Sequence, residues 1–338
     1  MRQVWIARHG GPEVLEVRDA RDTEPGPGEV RIRVAAAGIN FADILARMGL
    51  YPDAPSPPCV VGYEVAGTVD RVAAGVETPA DGTRVVALTR FGGYSDTVVV
   101  PAAQARPLPD AVSFESAAAI PVNYLTAWLM LVHLGNVQPR DRVLVHAVAG
   151  GVGQAALQIA RRAGAEVIGT ASASKHERLR AMGVVHVIDY RTQDFEAEVR
   201  RITDGRGVDL ALDAVGGASF RKSYRSLARM GRLFVFGVSS AATSKRRRLL
   251  SVLAMFLRTP RFHPIALMQR NRGVIGVYLG ELSDRADRLV PMLDEIVRLV
   301  GAGELAPVVD RTFPLERAGE AHAYIQDRKN FGKVLLVP

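Results

Sequence analysis

A chain of 338 residues is too long for one ordinary domain and predicts two. Hydrophobic residues make up 48% and charged residues 23%, enough apolar material for two cores and too much for long disorder. The single cysteine, Cys59, excludes an internal disulfide and a Cys-rich zinc site, and no apolar run reaches the ~18 residues of a membrane-spanning helix.

The formal net charge is +8. Nucleic acid, a membrane surface and an anionic small molecule are the partner classes this admits. No nucleic-acid motif accompanies the charge and aromatics are only 6%, so no nucleic-acid partner is expected. Phosphate-bearing cofactors and substrates explain it more economically, beside the plain solvation of an Arg-rich surface. No long apolar stretch follows Met1, so a cytoplasmic chain without a secretory signal is expected.

The first hundred residues read as short strands separated by Gly and Pro. Val30, Ile32 and Val34 alternate with charged residues, the period of a half-buried strand. Residues 60–72, 84–88 and 94–100 look similar, and Gly26-Pro27-Gly28 and Asp81-Gly82 mark turns. An antiparallel barrel or sandwich follows. Near residue 123 the rhythm changes. Apolar strands at 142–147, 166–170, 184–188, 210–214, 232–237 and 273–279 alternate with helical patterns at 151–163 and 175–182, which predicts a parallel sheet of βαβ units. An amphipathic helix at 289–300 and a strand at 333–337 close the chain.

His146-Ala147-Val148-Ala149-Gly150-Gly151-Val152-Gly153 follows a buried strand and opens a helix, the setting a dinucleotide-binding turn requires. Gly150 lets a pyrophosphate approach the backbone, Gly153 lets the helix pack on the strand, and Gly151 and Val152 offer first-turn amides. Val148 stands where the usual first glycine would be. The next strand ends in Ser172, Ser174 and Lys175 with no acid to hold a ribose 2′-hydroxyl. Hydroxyls and a lysine, with Tyr190 past the following strand, suit a 2′-phosphate. NADPH is therefore preferred over NADH.

Further motifs carry a resemblance. Ala37-Gly38-Ile39-Asn40-Phe41-Ala42-Asp43, Gly49-Leu50-Tyr51-Pro52, Gly62-Tyr63-Glu64-Val65-Ala66-Gly67, Asn123-Tyr124-Leu125-Thr126-Ala127-Trp128 and the glycine turn stand in the order of the zeta-crystallin-like quinone oxidoreductases. The chain thus resembles that zinc-independent branch of the medium-chain dehydrogenase/reductase superfamily. The stretches 169–176 and 330–338 look most like its vesicle amine transport protein group.

The resemblance implies an α/β fold: a GroES-like β domain from residues 1–122 and 280–338, with a Rossmann domain of doubly wound parallel sheet, 123–279, inserted. It implies catalysis at the carboxyl ends of the parallel strands and a homodimer pairing through the last of them. It places Thr126, Phe236 and Gly237 beside the nicotinamide and adds Asn330 to the cofactor set. Zinc relatives carry ligands where Asn40, Tyr63 and Val122 stand, and none of these is a usual ligand.

Without a Lewis acid, reduction of a C=C bond conjugated to a carbonyl is the expected chemistry, hydride arriving at the β-carbon and charge developing on the oxygen. Asn40 and Tyr63 are expected near the nicotinamide, and Tyr51 at the place of a proton donor in related enoyl-thioester reductases. Each has a plainer reading: Asn40 as a turn or helix cap, Tyr63 as a core tyrosine. Asp43 is read as anchoring the first turn of the helix after Asn40.

Lys245, Arg246, Arg247 and Arg248 precede the apolar run 249–257, with Arg258, Arg261 and Arg270 beyond. Three readings compete: a solvated loop leading to a buried or interface helix, an anion-collecting rim in which Arg246, Arg247 and Arg248 meet an acyl-CoA substrate, and an interfacial helix at an anionic membrane. An NADPH-holding, membrane- or partner-associated protein with little turnover stands as the alternative to an enzyme, and an RNA-binding side role as a third.

Overall fold

The structure, a computed structural model, describes residues 1–242, 249–282 and 284–338. Its strands, in chain order, are β1 (Arg2–Ile6), β2 (Leu15–Asp19), β3 (Glu29–Ile39), β4 (Cys59–Val60), β5 (Glu64–Val72), β6 (Arg84–Leu88), β7 (Thr97–Pro101), β8 (Ala105–Pro107), β9 (Arg142–Val145), β10 (Glu166–Ala171), β11 (His186–Asp189), β12 (Val208–Asp213), β13 (Leu227–Val235), β14 (Gly273–Gly276), β15 (Val309–Pro314) and β16 (Lys333–Val337). They fall into two units. One joins Met1–Leu125 to Leu279–Pro338; the described residues of the other are 126–242 and 249–278.

In the first unit β3 is the organising strand. It pairs antiparallel with β5, β7 and β16 in a seven-stranded sheet that runs β15-β16-β3-β5-β6-β8, while β2-β1-β4 form a smaller sheet. Val30, Ile32 and Val34 point into the core as their alternation requires. Arg31, expected on the solvent face, is instead buried, because its guanidinium is held bidentate by Asp70 with both bonds at 2.9 Å.

The second unit is a six-stranded parallel sheet in the order β11-β10-β9-β12-β13-β14. That is the doubly wound order, with its reversal between β9 and β12. Leu144, Ile168, Ile188, Val199, Val208, Ala211, Leu227 and Leu233 form a core cluster there.

Several expected elements shift. The strand read over 60–72 is two strands in different sheets: β4 pairs with β1, and β5 starts only at Glu64. The strand read from 94 begins at Thr97, because Tyr94, Ser95 and Asp96 bond to β1 instead. β13 ends at Val235, so Phe236 and Gly237 lie past it. Lys175 ends a 3₁₀ turn (Ala173–Lys175) and precedes helix His176–Ala181 rather than lying in its first turn. The helix expected at 289–300 spans Ala286–Gly301. Among the described residues no helix is long and apolar enough to cross a membrane.

Candidate active site

β3 ends at Ile39 and helix Phe41–Arg47 follows, so Asn40 sits at the helix N-cap in an extended conformation. Its backbone N–H donates to Asp43 Oδ2 at 2.7 Å, the local anchoring that an acid at the third helical position supplies. Its side chain does something the local sequence does not announce. Lys333 Nζ donates to Asn40 Oδ1 at 2.6 Å, and Asn40 Nδ2 donates to Glu64 Oε1 at 2.8 Å. Lys333 also reaches Glu64 Oε1, and Glu64 Oε2 accepts from Val122 N at 2.8 Å. An ammonium only donates and a carboxylate only accepts, so these partners dictate which way the carboxamide points. Asn40, Glu64 and Lys333 are all buried.

Asp43 is fully buried and accepts a second bond, from Gly62 N at 3.0 Å. Burial pushes its carboxyl up to about 7, against the pull of the Asn40 N–H, the Lys333 charge and a Tyr94 hydrogen bond. Tyr94 Oη lies 3.0 Å from His322 Nε2. Burial raises the Tyr94 phenol and lowers the His322 imidazole, so both are neutral at pH 7.

The structure brings Tyr51 and Tyr63 together. Their rings meet edge to face with centroids 5.9 Å apart, and Tyr63 lies 5.4 Å from Phe91. Tyr51 lines a pocket of about 320 Å³ with His9, Gly49, Leu50, Pro52, Ala54, Pro55 and Ser56. No lysine, arginine or carboxylate is in that lining.

In the second unit β9 runs into the glycine turn and then helix Gly151–Arg162, with Gly150 as N-cap. A Cβ on Gly153 would fall 2.5 Å from Ala147 O and 2.6 Å from Val148 Cα, so the close helix–strand approach demands glycine. Val148 is buried and finds room because the facing position is Gly169, where a Cβ would come 2.5 Å from Val148 Cγ1. The usual first glycine is thus replaced by a valine matched to a glycine on the next strand. The first-turn amides of Gly151, Val152 and Gly153 have no intrahelical acceptor, and no acid occupies that turn.

The β10–β11 register pairs Ala171 with Asp189, so Ser172 and Tyr190 leave adjacent strands side by side. Ser172 Oγ lies 3.4 Å from Ser174 Oγ, and Lys175 is half-buried nearby in sequence. The Arg191 guanidinium sits 5.9 Å over the Tyr190 ring. Phe236 N donates to Asp213 O at 3.2 Å, which puts Phe236 and Gly237 against the end of β12. Thr126 is buried in helix Pro121–Trp128. Asn330 belongs to the first unit, where Nδ2 donates to Gly332 O at 2.9 Å. Arg246, Arg247 and Arg248 lie outside the described residues.

The sequence does not announce Glu64, Lys333 or Arg191. For Glu64 and Lys333 a charged residue at the start of an apolar strand is the only local signal of burial. Arg191 adjoins Tyr190, and its place one residue further past β11 could have been read.

A family profile described as an alcohol dehydrogenase GroES-like domain matches residues 26–110, and one described as a zinc-binding dehydrogenase matches 182–336. The synaptic vesicle membrane protein VAT-1 homolog of Homo sapiens is 40% identical over 325 residues, 96% of this chain and 82% of that protein. The Escherichia coli quinone oxidoreductase, solved in complex with NADPH, is 32% identical with a TM-score of 0.88 over 100% of both chains. This chain belongs to the medium-chain dehydrogenase/reductase superfamily. Within that superfamily of oxidoreductases it stands among the quinone oxidoreductases and VAT-1 homologs. The CurK enoyl reductase shares the fold at 30% identity and a TM-score of 0.85, over 99% of this chain and 98% of that one. The positions where the resemblance expects zinc ligands hold Asn40, Tyr63 and Val122, whose side chains are not usual zinc ligands, and among the described residues no three His, Cys, Asp or Glu side chains group to hold a metal.

Proposed function

We propose that this chain is an NADPH-dependent, zinc-independent reductase of a C=C bond conjugated to a carbonyl. The observation that carries the reading is the Tyr51–Tyr63 pair beside a pocket lined by no lysine, arginine or carboxylate. Bound NADPH supplies hydride to the substrate's β-carbon. Gly150, Gly151, Val152 and Gly153 would hold its pyrophosphate, and Ser172, Lys175, Tyr190 and Arg191 its 2′-phosphate. The complex of the E. coli relative with NADPH supports that choice of cofactor.

Tyr51 then donates to the carbonyl oxygen as charge develops there, and delivers the proton that completes the reduction. Tyr63 holds the Tyr51 ring edge-on, and Asn40 presents a carboxamide whose orientation Lys333 and Glu64 dictate. A pocket lined by no lysine or arginine favours a neutral quinone or enone over the phosphates of an acyl-CoA. A homodimer joined through β14, the edge strand of the parallel sheet, belongs to the same reading.

The test is stopped-flow oxidation of NADPH and NADH against a quinone, a simple enone and a short branched enoyl-CoA. Fast NADPH loss with the quinone or enone is expected. Preference for the enoyl-CoA would transfer the substrate assignment to a thioester and bring Arg246, Arg247 and Arg248 into the site. A second reading is favoured by the exposed apolar faces of helices Leu249–Arg258 and Pro264–Arg270, which leave Leu253, Phe256, Leu257, Ile265 and Met268 in solvent. It is a membrane- or partner-associated NADPH-binding protein. Co-sedimentation with anionic liposomes, combined with no oxidation by any acceptor, would select it.

A further inference from the structure

We infer that His146 is a positioning residue for the dinucleotide turn, acting through an ordered hydrogen-bond chain that ends on Asp213; the inference rests on the proposed binding of NADPH at that turn. His146 Nδ1 lies 3.1 Å from Thr170 Oγ1, and Nε2 lies 2.9 Å from Ser223 Oγ. Ser223 Oγ donates to Asp213 Oδ2 at 2.6 Å, and Ser219 Oγ donates to the same oxygen at 2.7 Å. Ala147 N donates to Thr170 Oγ1 at 3.2 Å. His146, Thr170, Ser223 and Asp213 are all buried, and the Phe195 ring covers the imidazole edge-on at 4.5 Å.

Donor and acceptor logic gives the chain one direction. Asp213 accepts, so the single Ser223 hydroxyl proton goes to it. Ser223 oxygen must then accept from His146, which requires the Nε2–H tautomer. Nδ1 is left as an acceptor and takes the Thr170 hydroxyl proton, and Thr170 oxygen accepts from Ala147 N–H. Burial lowers the imidazole's proton affinity and keeps it neutral, the only state with both a donor and an acceptor.

The two ends of the chain matter more than its middle. Ala147 opens the glycine turn with φ of 50°, a conformation costly for a residue with a side chain. Asp213 Oδ1 accepts from Val215 N at 2.7 Å and Gly216 N at 3.4 Å, cinching the loop after β12. β9 and β12 are neighbours at the point where strand order reverses, the crevice in which dinucleotides bind in sheets of this kind. His146 therefore ties together the two loops that border that crevice.

The experiment measures NADPH dissociation constants by fluorescence for the full chain and for His146→Gln, Ser223→Ala, Thr170→Val and the double variant His146→Gln/Ser223→Ala, alongside melting temperatures and the ¹⁵N shifts of His146. Each single substitution is expected to weaken NADPH roughly tenfold or more, as loss of a buried hydrogen-bond partner does. The double variant is expected to be no weaker than the worse single one, because either change opens the same chain. The ¹⁵N shifts are expected to show a neutral imidazole protonated at Nε2. Ser223→Ala nearly keeps its volume and guards against a His146 variant that fails to fold. NADPH binding unchanged in folded variants, additive losses, or an Nδ1–H imidazole would each overturn the inference alone. Failure of the unaltered chain to bind NADPH would take down the proposed function and this inference with it.

Discussion

The ammonium of Lys333 lies 2.6 Å from Oδ1 of Asn40, across 293 residues of sequence. With Glu64 it turns a carboxamide that could rotate freely in a surface cap into one with a single allowed orientation. Removing the cation leaves the Glu64 carboxylate buried and uncompensated. Lys333→Met is expected to cost about 3–5 kcal/mol in urea unfolding. Lys333→Met/Glu64→Gln should recover most of that loss, because a neutral pair has no stranded charge. A single variant as stable as the unaltered chain would mean that the pair is not desolvated as the structure shows.

Tyr51→Phe removes one hydroxyl from a half-buried ring. Turnover is expected to fall about 10²-fold or more, the scale of a lost general acid, with the melting temperature unchanged. Tyr63→Phe keeps the ring packing on Tyr51 and Phe91 and should cost much less. Unchanged turnover and KM in Tyr51→Phe would remove its assigned role.

Asp43 links stability to pH. Its carboxyl titrates at 3.8 without perturbation and at about 7 when buried in the fold. Between those values the folded state keeps a proton that the unfolded state has released. Its contribution is therefore fully present below 3.8 and is lost as pH rises through about 7. The urea midpoint of Asp43→Asn should change less than that of the unaltered chain between pH 5 and pH 8. Identical pH profiles would show that Asp43 is ionised throughout.

Gly153→Ala and Gly150→Ala separate crowding from mere proximity. A Cβ at 153 meets backbone at 2.5 Å and 2.6 Å, whereas at 150 the nearest atom is Ala147 O at 3.3 Å. Gly153→Ala is expected to destabilise by about 1–3 kcal/mol and to weaken NADPH. Gly150→Ala should stay nearer the unaltered stability. Equal unfolding midpoints for the two would contradict the packing described.

Cofactor choice should reside at the ends of β10 and β11. Lys175→Ala and Arg191→Ala are each expected to raise the NADPH dissociation constant about tenfold, or 1.4 kcal/mol, and to leave NADH nearly unaffected. Titrating both cofactors checks this. A parallel loss for NADH would place these residues at the shared pyrophosphate instead.

Local signals made much of this protein legible without a structure. The alternation of Val30, Ile32 and Val34, the strand–glycine turn–helix passage around Gly150, and the strand Lys333–Val337 all depend on short-range sterics and on which face meets a core. What failed was pairing over distance. Residues 60–72 look like one strand, yet Cys59–Val60 pairs with β1 and Glu64 starts another sheet's strand, a choice set by partners and not by the segment.

The sequence by itself determined two domains, a parallel sheet of βαβ units and a dinucleotide-type turn, because composition, periodicity and turn chemistry act within a few residues; the doubly wound order and the zinc-ligand positions came only from the family resemblance. Only the tertiary structure decided that Val148 is matched by Gly169, that Arg31 is buried on Asp70, and that Asn40 is oriented by Lys333 and Glu64. These depend on where distant segments meet. The free energy of a buried charge or a single Cβ is set by the atoms across the interface, and those lie 21 to 293 residues away.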